Sequence, residues 1–405
     1  VSLLGANPNV VIIYVDDMGY GDASCLNPQS KFKTPNIDRL AKEGMSFTDG
    51  HSSDTVCSPS RYGLLTGRYS WRTKMKRGVM GAEGECLIAD ERMTLASFLR
   101  DNGYTTAMVG KWHLGMDFPG TKGNRDWSKT TVDMPLDKGF EYFWGLPASM
   151  NYGVLAWFEG RMAKVPPTLF TRKKSNHIAN DDYRIAPPYQ AKPLKPNDLE
   201  VASDFIDIEC LDRFTEQAIK WLDGQVSASR NGKPFMLYLS YTSPHKPVIP
   251  LKRFRGKGGA GAYGDFMMET DWHVGRVLDC IDKNKLTDNT VVVFTSDNGP
   301  ESTWRRRIEE YNHHSNGIFR EGKRSIYEGG HRVPFLIRWP NNVKASSKWD
   351  SPVCQTDFLA TFADILGKKL PENAGEDSVS FYKALIGQDA PQRFAMIHHS
   401  MRGRY

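Results

Sequence analysis

The feature of the sequence that most constrains its fold is a regular alternation of strand and helix patterns. The first strand pattern, Asn9 to Val15, is rich in β-branched residues and carries no charge before Asp16, which is typical of a strand covered on both faces. Similar strand patterns lie at 105–110, 235–240, 291–296 and 335–339, and helix patterns lie at 34–41, 94–102, 214–222, 263–278 and 357–366. The alternation predicts an α/β fold with a large, mainly parallel sheet flanked by helices.

Polar side chains follow four of these strands. They are Asp16 and Asp17 after the first, Lys111 and His113 after the second, His245 after the third, and Asp297 and Asn298 after the fourth. Because ligands of open α/β sheets bind beyond the carboxyl ends of the strands, we expect the four segments to converge at one edge. Acidic and amide residues also form ordinary turns, so the hypothesis depends on the combination.

The oxygen donors in this set are typical of a hard-cation site. Asp16, Asp17, Asp297 and Asn298 offer carboxylate and amide oxygens, which select Ca²⁺ or Mg²⁺ over zinc. The six cysteines show no C-x-x-C spacing, so they indicate neither a zinc site nor a redox dithiol.

Residues 57–61, Cys-Ser-Pro-Ser-Arg, give a second kind of signal. We expect Ser58 to cap a helix whose first position is Pro59, where a missing N–H costs nothing. Cys57 would then lie just before a helix N-terminus, whose partial positive charge favours developing negative charge. The alternative is a structural cysteine beside an ordinary helix start.

Composition excludes several classes of protein. With 405 residues, 40% of them hydrophobic, the chain can bury a large core and form one big domain plus a smaller one. The 53 basic and 47 acidic residues form no long like-charge blocks, which argues against a nucleic-acid partner. The apolar run Val10 to Val15 is far shorter than the ~20 residues of a membrane span, so we expect none. We expect a periplasmic or secreted location, with a leader that is absent from this chain.

Seven segments, in this order, resemble the type I, formylglycine-dependent sulfatases. They are 15–22 (VDDMGYGD), 34–41 (TPNIDRLA), 57–68 (CSPSRYGLLTGR), 110–115 (GKWHLG), 243–245 (SPH), 296–299 (SDNG) and 322–330 (GKRSIYEGG). The resemblance implies an alkaline-phosphatase-like sandwich with a catalytic domain over 1–345. It also implies that 346–405 begin a small C-terminal α+β subdomain, which we expect to be incomplete at Tyr405.

The resemblance further implies a chemistry. A formylglycine-generating or anaerobic maturation enzyme would oxidise Cys57 to formylglycine, whose hydrate attacks sulfur. A Ca²⁺ ion would be bound by Asp16, Asp17, Asp297, Asn298 and the oxidised Cys57. Lys111, Lys323 and His245 would bind the substrate. The catalytic residues would be Cys57, Arg61, His113, His245 and Lys323. Arg61 would stabilise the ionised hydrate, and His245, helped by Lys323, would be the acid for the leaving oxygen. His113 would take the proton whose removal releases sulfate. Asp297 would be the base for the attack.

The resemblance implies release of inorganic sulfate from a sulfated substrate. A carbohydrate is favoured, including 6-O-sulfated galactose or N-acetylgalactosamine, because 71–78 and His398-His399-Ser400 resemble carbohydrate sulfatases. The proline- and charge-rich segment 147–204 is predicted to build a pocket wall, with a solvated surface excursion as the alternative. Its basic residues are Arg161, Arg172, Lys173, Lys174 and His177.

Two other functions stay open at this point. A phosphonate or phosphate ester hydrolase of the same superfamily can carry a similar cysteine motif and metal site. A glycan-binding homologue that is never oxidised would be non-catalytic, although such a protein has no chemical need for the whole residue set.

Overall fold

The structure, a computed structural model, describes residues 7–172, 185–390 and 393–403. Lys173, Lys174 and His177 lie outside these ranges. The helices are α1 (Pro35–Glu43), α2 (Cys57–Thr66), α3 (Leu95–Asp101), α4 (Cys210–Arg230), α5 (Gly261–Lys283), α6 (Trp304–Tyr311), α7 (Glu328–His331), α8 (Phe358–Ile365) and α9 (Tyr382–Leu385). The strands are β1 (Asn9–Asp16), β2 (Met45–Phe47), β3 (Gly50–His51), β4 (Thr105–Lys111), β5 (Gly120–Thr121), β6 (Asn124–Arg125), β7 (Tyr142–Leu146), β8 (Val154–Leu155), β9 (Phe158–Glu159), β10 (Met162–Ala163), β11 (Leu169–Thr171), β12 (Leu199–Val201), β13 (Phe235–Pro244), β14 (Thr290–Ser296), β15 (Phe335–Arg338), β16 (Ser347–Trp349) and β17 (Val353–Cys354).

Ten strands form one sheet in the order β10-β9-β7-β4-β13-β1-β14-β15-β2-β16. The central strands β7, β4, β13, β1 and β14 are all parallel, and β9 and β15 pair antiparallel on either side of them. The predicted large, mainly parallel sheet is therefore confirmed. Since β4, β13, β1 and β14 run in the same direction, their polar carboxyl ends lie side by side.

Helices cover both faces of this sheet. Tyr14 on β1 is in register with Ser240 on β13, and its ring lies beneath the Arg61 guanidinium of α2. Tyr241 points to the opposite face, because side chains alternate along a strand, and its hydroxyl hydrogen-bonds Thr215 of α4. Helices α2, α3 and α8 pack together on the first face, and α1, α4 and α5 pack together on the second.

The structure corrects the predicted start of the helix at Cys57. Val56, with extended backbone, is the N-cap, and Cys57 is the first helical residue. The carbonyl of Val56 accepts the N–H of Ser60. Ser58 does not cap the helix; its Oγ instead accepts the backbone N–H of Met80 at 3.0 Å. Position 57 therefore lies within the first turn of α2 and not before it.

The C-terminal part of the chain packs closely on the rest. Strand β16 joins the edge of the main sheet beside β2, and α8 packs on α2. Gln355 donates to the carbonyl of Ser296, at the end of β14, at 2.7 Å. The division of the chain at residue 345 stays a prediction. Within the described ranges, every helix is too short or too polar to cross a bilayer.

Candidate active site

The four strand ends, the start of α2 and the loop after α6 bring ten predicted residues together. All ten side chains are buried, and the most exposed of them, Lys323, is 9% exposed. The others are Asp16, Asp17, Cys57, Arg61, Lys111, His113, His245, Asp297 and Asn298. The predicted convergence of these segments is confirmed. So many ionisable groups with so little solvent require internal partners.

Two of the strand ends turn in an unusual conformation. Asp17 and His113 have φ angles of 70° and 64°, a left-handed region that non-glycine residues rarely adopt. The backbone N–H of Asp17 donates to Asp297 Oδ1 at 3.1 Å, which ties the end of β1 to the end of β14. Backbone of this kind persists where surrounding contacts hold it, often at functional sites.

Cys57 lies at the centre of the charged groups. Its Sγ is 3.5 Å from Asp16 Oδ1 and 3.5 Å from Lys323 Nζ. Burial, reinforced by the negative charge of Asp297, raises the pKa of the thiol well above its usual value. The unmodified thiol is thus protonated near neutral pH, and a protonated thiol is a poor nucleophile.

Three cations face three carboxylates around Cys57. The Arg61 guanidinium donates to Asp297 Oδ2 at 2.8 Å. Lys111 Nζ pairs with Asp16, and Lys323 Nζ pairs with Asp17 Oδ1 at 2.5 Å. Although burial by itself lowers the pKa of Lys323, Asp17 and its other anionic neighbours raise that pKa well above its usual value. The charges of this cluster balance without any ligand.

Two oxygens in the cluster keep an unused capacity to bind a cation. Asp17 Oδ2 and Asn298 Oδ1 are buried and have no hydrogen-bond partner in the part of the chain that the structure describes. The Asn298 amide donates to Asp17 Oδ1 at 2.7 Å, which fixes its orientation. Unpaired buried oxygens are costly, and carboxylate and amide oxygens are ligands of Ca²⁺. The residues present therefore fit the predicted ion.

Each of the two site histidines, His113 and His245, donates a hydrogen bond from one ring nitrogen and has a second nitrogen that carries no proton. His245 Nδ1–H donates to the carbonyl of Lys246 at 2.7 Å, which leaves Nε2 3.8 Å from Asp17 Oδ2. His113 Nε2–H donates to the carbonyl of Met80 at 2.9 Å. Burial lowers the pKa of His245 to about 3 and the pKa of His113 well below its usual value. Both imidazoles are therefore neutral at pH 7 in the ligand-free site.

A family model described as Sulfatase matches residues 8–368. The chain belongs to the sulfatase family. It is 33% identical to the N-acetylgalactosamine-6-O-sulfatase of Bacteroides thetaiotaomicron, over 97% of this chain and 79% of that protein. It is 31% identical to the steryl-sulfatase of Homo sapiens, over 97% of this chain and 72% of that protein. The predicted activity class, a sulfuric ester hydrolase, is confirmed.

Solved structures support the fold assignment of the sulfatase. A protein described under the metabolism of multiple glycosaminoglycans by Bacteroides thetaiotaomicron superposes with a TM-score of 0.83 at 31% identity, covering 98% of this chain and 85% of the other. A second, crystallised in complex with a neocarrahexaose, superposes with a TM-score of 0.69 at 27% identity, covering 95% and 77%. The predicted alkaline-phosphatase-like fold is confirmed.

Sequence reasoning missed one residue inside the sulfatase site. Ser240 Oγ donates to the carbonyl of Lys111 at 2.8 Å and receives a hydrogen bond from Arg61 Nη1. It thus holds the backbone of Lys111 and the Arg61 side chain in one arrangement. Its place at the carboxyl end of the third predicted strand was the available signal.

A cleft of about 960 Å³ opens beside Lys323. Its wall carries four further basic residues and one exposed aromatic ring, namely Arg77, Arg305, Arg324, Arg402 and Tyr327. The predicted wall from segment 147–204 stays a prediction. In that segment Arg161 pairs with Asp137, and Arg172 is exposed.

Proposed function

We propose that this sulfatase hydrolyses sulfated carbohydrates through a formylglycine made from Cys57 and a bound Ca²⁺ ion. The observation that carries the proposal is the position of Cys57 Sγ, 3.5 Å from both Asp16 Oδ1 and Lys323 Nζ. Position 57 thus lies between a hard-oxygen cation site and a cationic donor. A maturation enzyme, formylglycine-generating or anaerobic, is the required partner, and a periplasmic or secreted location fits such a substrate.

Formylglycine at position 57 would supply the nucleophile, and a bound Ca²⁺ ion would supply positive charge. Formylglycine supplies an oxygen nucleophile for sulfur and a route for sulfate release that a serine lacks. Ca²⁺ supplies positive charge that neutralises the sulfate oxygens. Asp16, Asp17, Asp297 and Asn298 would hold the ion, and residue 57 would complete the ligand set.

The cations of the site bind and orient the sulfate ester. Lys111 and Lys323 are buried ammonium groups, and Lys323 also lines the cleft. Each can donate to a sulfate oxygen once the ion takes over its carboxylate. Arg61 stays paired with Asp297 and places positive charge beneath residue 57. Fixed donors of this kind lower the barrier because they need no reorganisation.

The two histidines are suited to proton transfer. Bound sulfate brings negative charge next to His245, which raises the pKa of its imidazole and lets Nε2 donate to the leaving oxygen. Lys323, already protonated, can assist. His113 Nδ1 has no hydrogen-bond partner among the described residues, so it is available to accept the proton whose removal releases sulfate.

The cleft favours an anionic carbohydrate as the substrate. Arg77 and Arg402 on its wall are exposed, and Tyr327, 42% exposed, offers a ring for sugar contact. The relative that acts on 6-O-sulfated N-acetylgalactosamine is 33% identical over nearly the whole chain. We therefore take 6-O-sulfated N-acetylgalactosamine and galactose as first candidates.

The test begins with the mass of the peptide that contains Cys57, from protein co-expressed with a maturation enzyme. We expect the aldehyde mass, together with sulfate release from a 6-O-sulfated sugar. Cys57→Ala should be folded and inactive. Cys57→Ser is the matched control, since it keeps a hydroxyl but cannot release sulfate, and should give at most one turnover.

Three results would contradict the proposal. The first is a plain thiol after co-expression with a competent maturation system. The second is full activity of Cys57→Ala. The third is faster hydrolysis of phosphate esters than of sulfate esters in a matched panel of 6-O-substituted sugars, which would favour the phosphate ester hydrolase instead.

A further inference from the structure

Three histidines meet outside the candidate active site. His51 comes from β3, His331 ends α7, and His398 lies in the segment 393–403. The rings of His331 and His398 stack with centroids 3.8 Å apart and an interplanar angle of 5°. Each of the three offers a nitrogen, and these atoms lie within 4.8 Å of one another. His51 and His331 are 2% and 4% exposed, and His398 is partly exposed, so two of the three rings are shielded from solvent.

The hydrogen bonds fix which nitrogens carry protons. His51 Nε2–H donates to Asp49 Oδ1 at 2.6 Å, and His331 Nε2–H donates to the carbonyl of Ile326 at 3.1 Å. In the neutral imidazoles both Nδ1 atoms then carry lone pairs. These two atoms are only 2.8 Å apart. Two lone pairs that face each other at this distance repel, so the arrangement requires a cation between or beside them.

The outer contacts of the cluster match those of metal-binding histidines. A metal-ligating histidine generally donates its second ring N–H to a carboxylate or a backbone carbonyl. His51 has the carboxylate of Asp49 and His331 has the carbonyl of Ile326. Both nitrogens of His398 are buried, and its ring interacts with the backbone of Ser53, which leaves one nitrogen for a metal.

The surrounding charge also favours a cation. Asp49 and Glu328 approach His51 within the same 4.8 Å limit. Both carboxylates pair with one guanidinium, that of Arg332. Two negative charges against one positive charge leave the three imidazole rings next to an excess of negative charge.

We propose that His51 Nδ1, His331 Nδ1 and a nitrogen of His398 bind a transition-metal dication, with Zn²⁺ as the first candidate. Imidazole ligands suit Zn²⁺ and not Ca²⁺. Zinc–nitrogen bonds of about 2.0–2.1 Å place two ligands of a tetrahedral ion roughly 3.3 Å apart, so the His51–His331 pair must open by about 0.5 Å. The ring of His398 must also turn out of its parallel stack on His331, because a ligated ion lies in the plane of each imidazole. A proton shared between His51 and His331 is the competing occupant, and a measurement of bound zinc separates the two.

The ion would tie together three segments that are distant in sequence. The backbone carbonyl of His399 accepts from Thr55 Oγ1 at 3.0 Å, two residues before Cys57. Ser400 and Arg402 line the cleft beside Lys323. A metal on His398 would therefore hold this cleft wall against the loop that precedes the nucleophile, a structural role separate from the reaction.

The experiment measures zinc binding. The protein is first stripped of metal with a nitrogen-donor chelator and then supplied with excess Ca²⁺, which saturates the oxygen site. It is titrated with Zn²⁺ as the only transition metal, and bound zinc is counted by elemental analysis. We expect one equivalent of Zn²⁺ per chain, an upward shift of Tm with Zn²⁺, and the visible absorption of nitrogen-coordinated tetrahedral Co²⁺ when Co²⁺ replaces it.

Substitutions locate the site. His398→Gln, at a partly exposed position, should lower bound zinc at least tenfold and abolish the Tm shift, and His331→Gln should do the same. His314→Gln, outside the cluster, is the matched control and should bind one equivalent. A wild-type protein that binds no Zn²⁺ would overturn the proposal and favour the shared proton. Undiminished binding by His398→Gln would also overturn it. Should His331→Gln fail to fold, His398→Gln and the wild-type Co²⁺ spectrum still decide.

Discussion

Arg61 is a fully buried guanidinium whose partners are the carboxylate of Asp297 and the backbone of Lys111. Its removal leaves Asp297 buried without its nearest cation. We expect Arg61→Ala to lower the free energy of unfolding by about 3–5 kcal/mol, the usual cost of breaking a buried ion pair. Urea denaturation without Ca²⁺ is the measurement. Arg61→Lys keeps the charge and should lose less, and a loss below about 1 kcal/mol for Arg61→Ala would contradict the prediction.

The proposed role of His245 as an acid can be tested with different leaving groups. An acid at Nε2 matters most when the departing alcohol is a poor leaving group, as a sugar hydroxyl is. We expect His245→Gln to lower kcat on a sugar sulfate by about 10²–10⁴-fold, and to lower it much less on an activated aryl sulfate. Steady-state kinetics on both substrates test this. An equal loss on both would mean that His245 binds the sulfate and does not protonate the leaving group.

At the scale of single elements, Gly110 shows how the strands must approach each other beneath the site. It lies in β4 one residue before Lys111, with a φ of 114°, and an added Cβ would be 1.9 Å from the carbonyl oxygen of Ser240 on β13. We expect Gly110→Ala to destabilise the fold by about 3 kcal/mol and to displace Lys111. The free energy of unfolding and the KM for a sulfated sugar are the measurements.

Gly224 provides the matched control for Gly110. It lies in α4, and a Cβ there would meet nothing within 4 Å. Gly224→Ala should raise the free energy of unfolding by about 0.5–1 kcal/mol, because alanine loses less backbone entropy in a helix. Equal effects of the two substitutions would show that the close contact between β4 and β13 is absent.

At the scale of the whole molecule, the candidate Ca²⁺ site would join two segments that lie far apart in the sequence. Asp17 follows β1 and Asn298 follows β14, some 280 residues later, and each has an oxygen without a hydrogen-bond partner within the described part of the chain. An ion that binds only the folded chain should stabilise it by about 2.7 kcal/mol at 100 times Kd. We expect Ca²⁺ to raise Tm over a chelated sample. Asp297→Asn should remove most of that shift in Tm. A wild-type Tm that is the same with and without Ca²⁺ would contradict the proposed site.

Local sequence signals predicted five strands of the ten-stranded sheet and the six helices that pack on its two faces. Helix α1 (Pro35–Glu43) overlaps the predicted helix pattern at 34–41, because such patterns arise within a few consecutive residues. The prediction that Ser58 caps α2 was wrong, since a tertiary partner, the N–H of Met80, takes its hydroxyl. Helix α4 is also longer than its apolar pattern, because α5 and β13 pack along it.

The sequence by itself determined the α/β fold, the sulfatase family and the residue types of the site. It could do so because each of these signals, the strand and helix patterns, the polar residues after the strands and the Cys57 motif, lies within a short stretch of sequence. Tertiary structure alone decided which charges pair, which oxygens stay unpartnered and which histidines meet. Ser240 and the cluster of His51, His331 and His398 escaped sequence reasoning because their partners lie tens to hundreds of residues away, where only packing of the folded chain sets the distances.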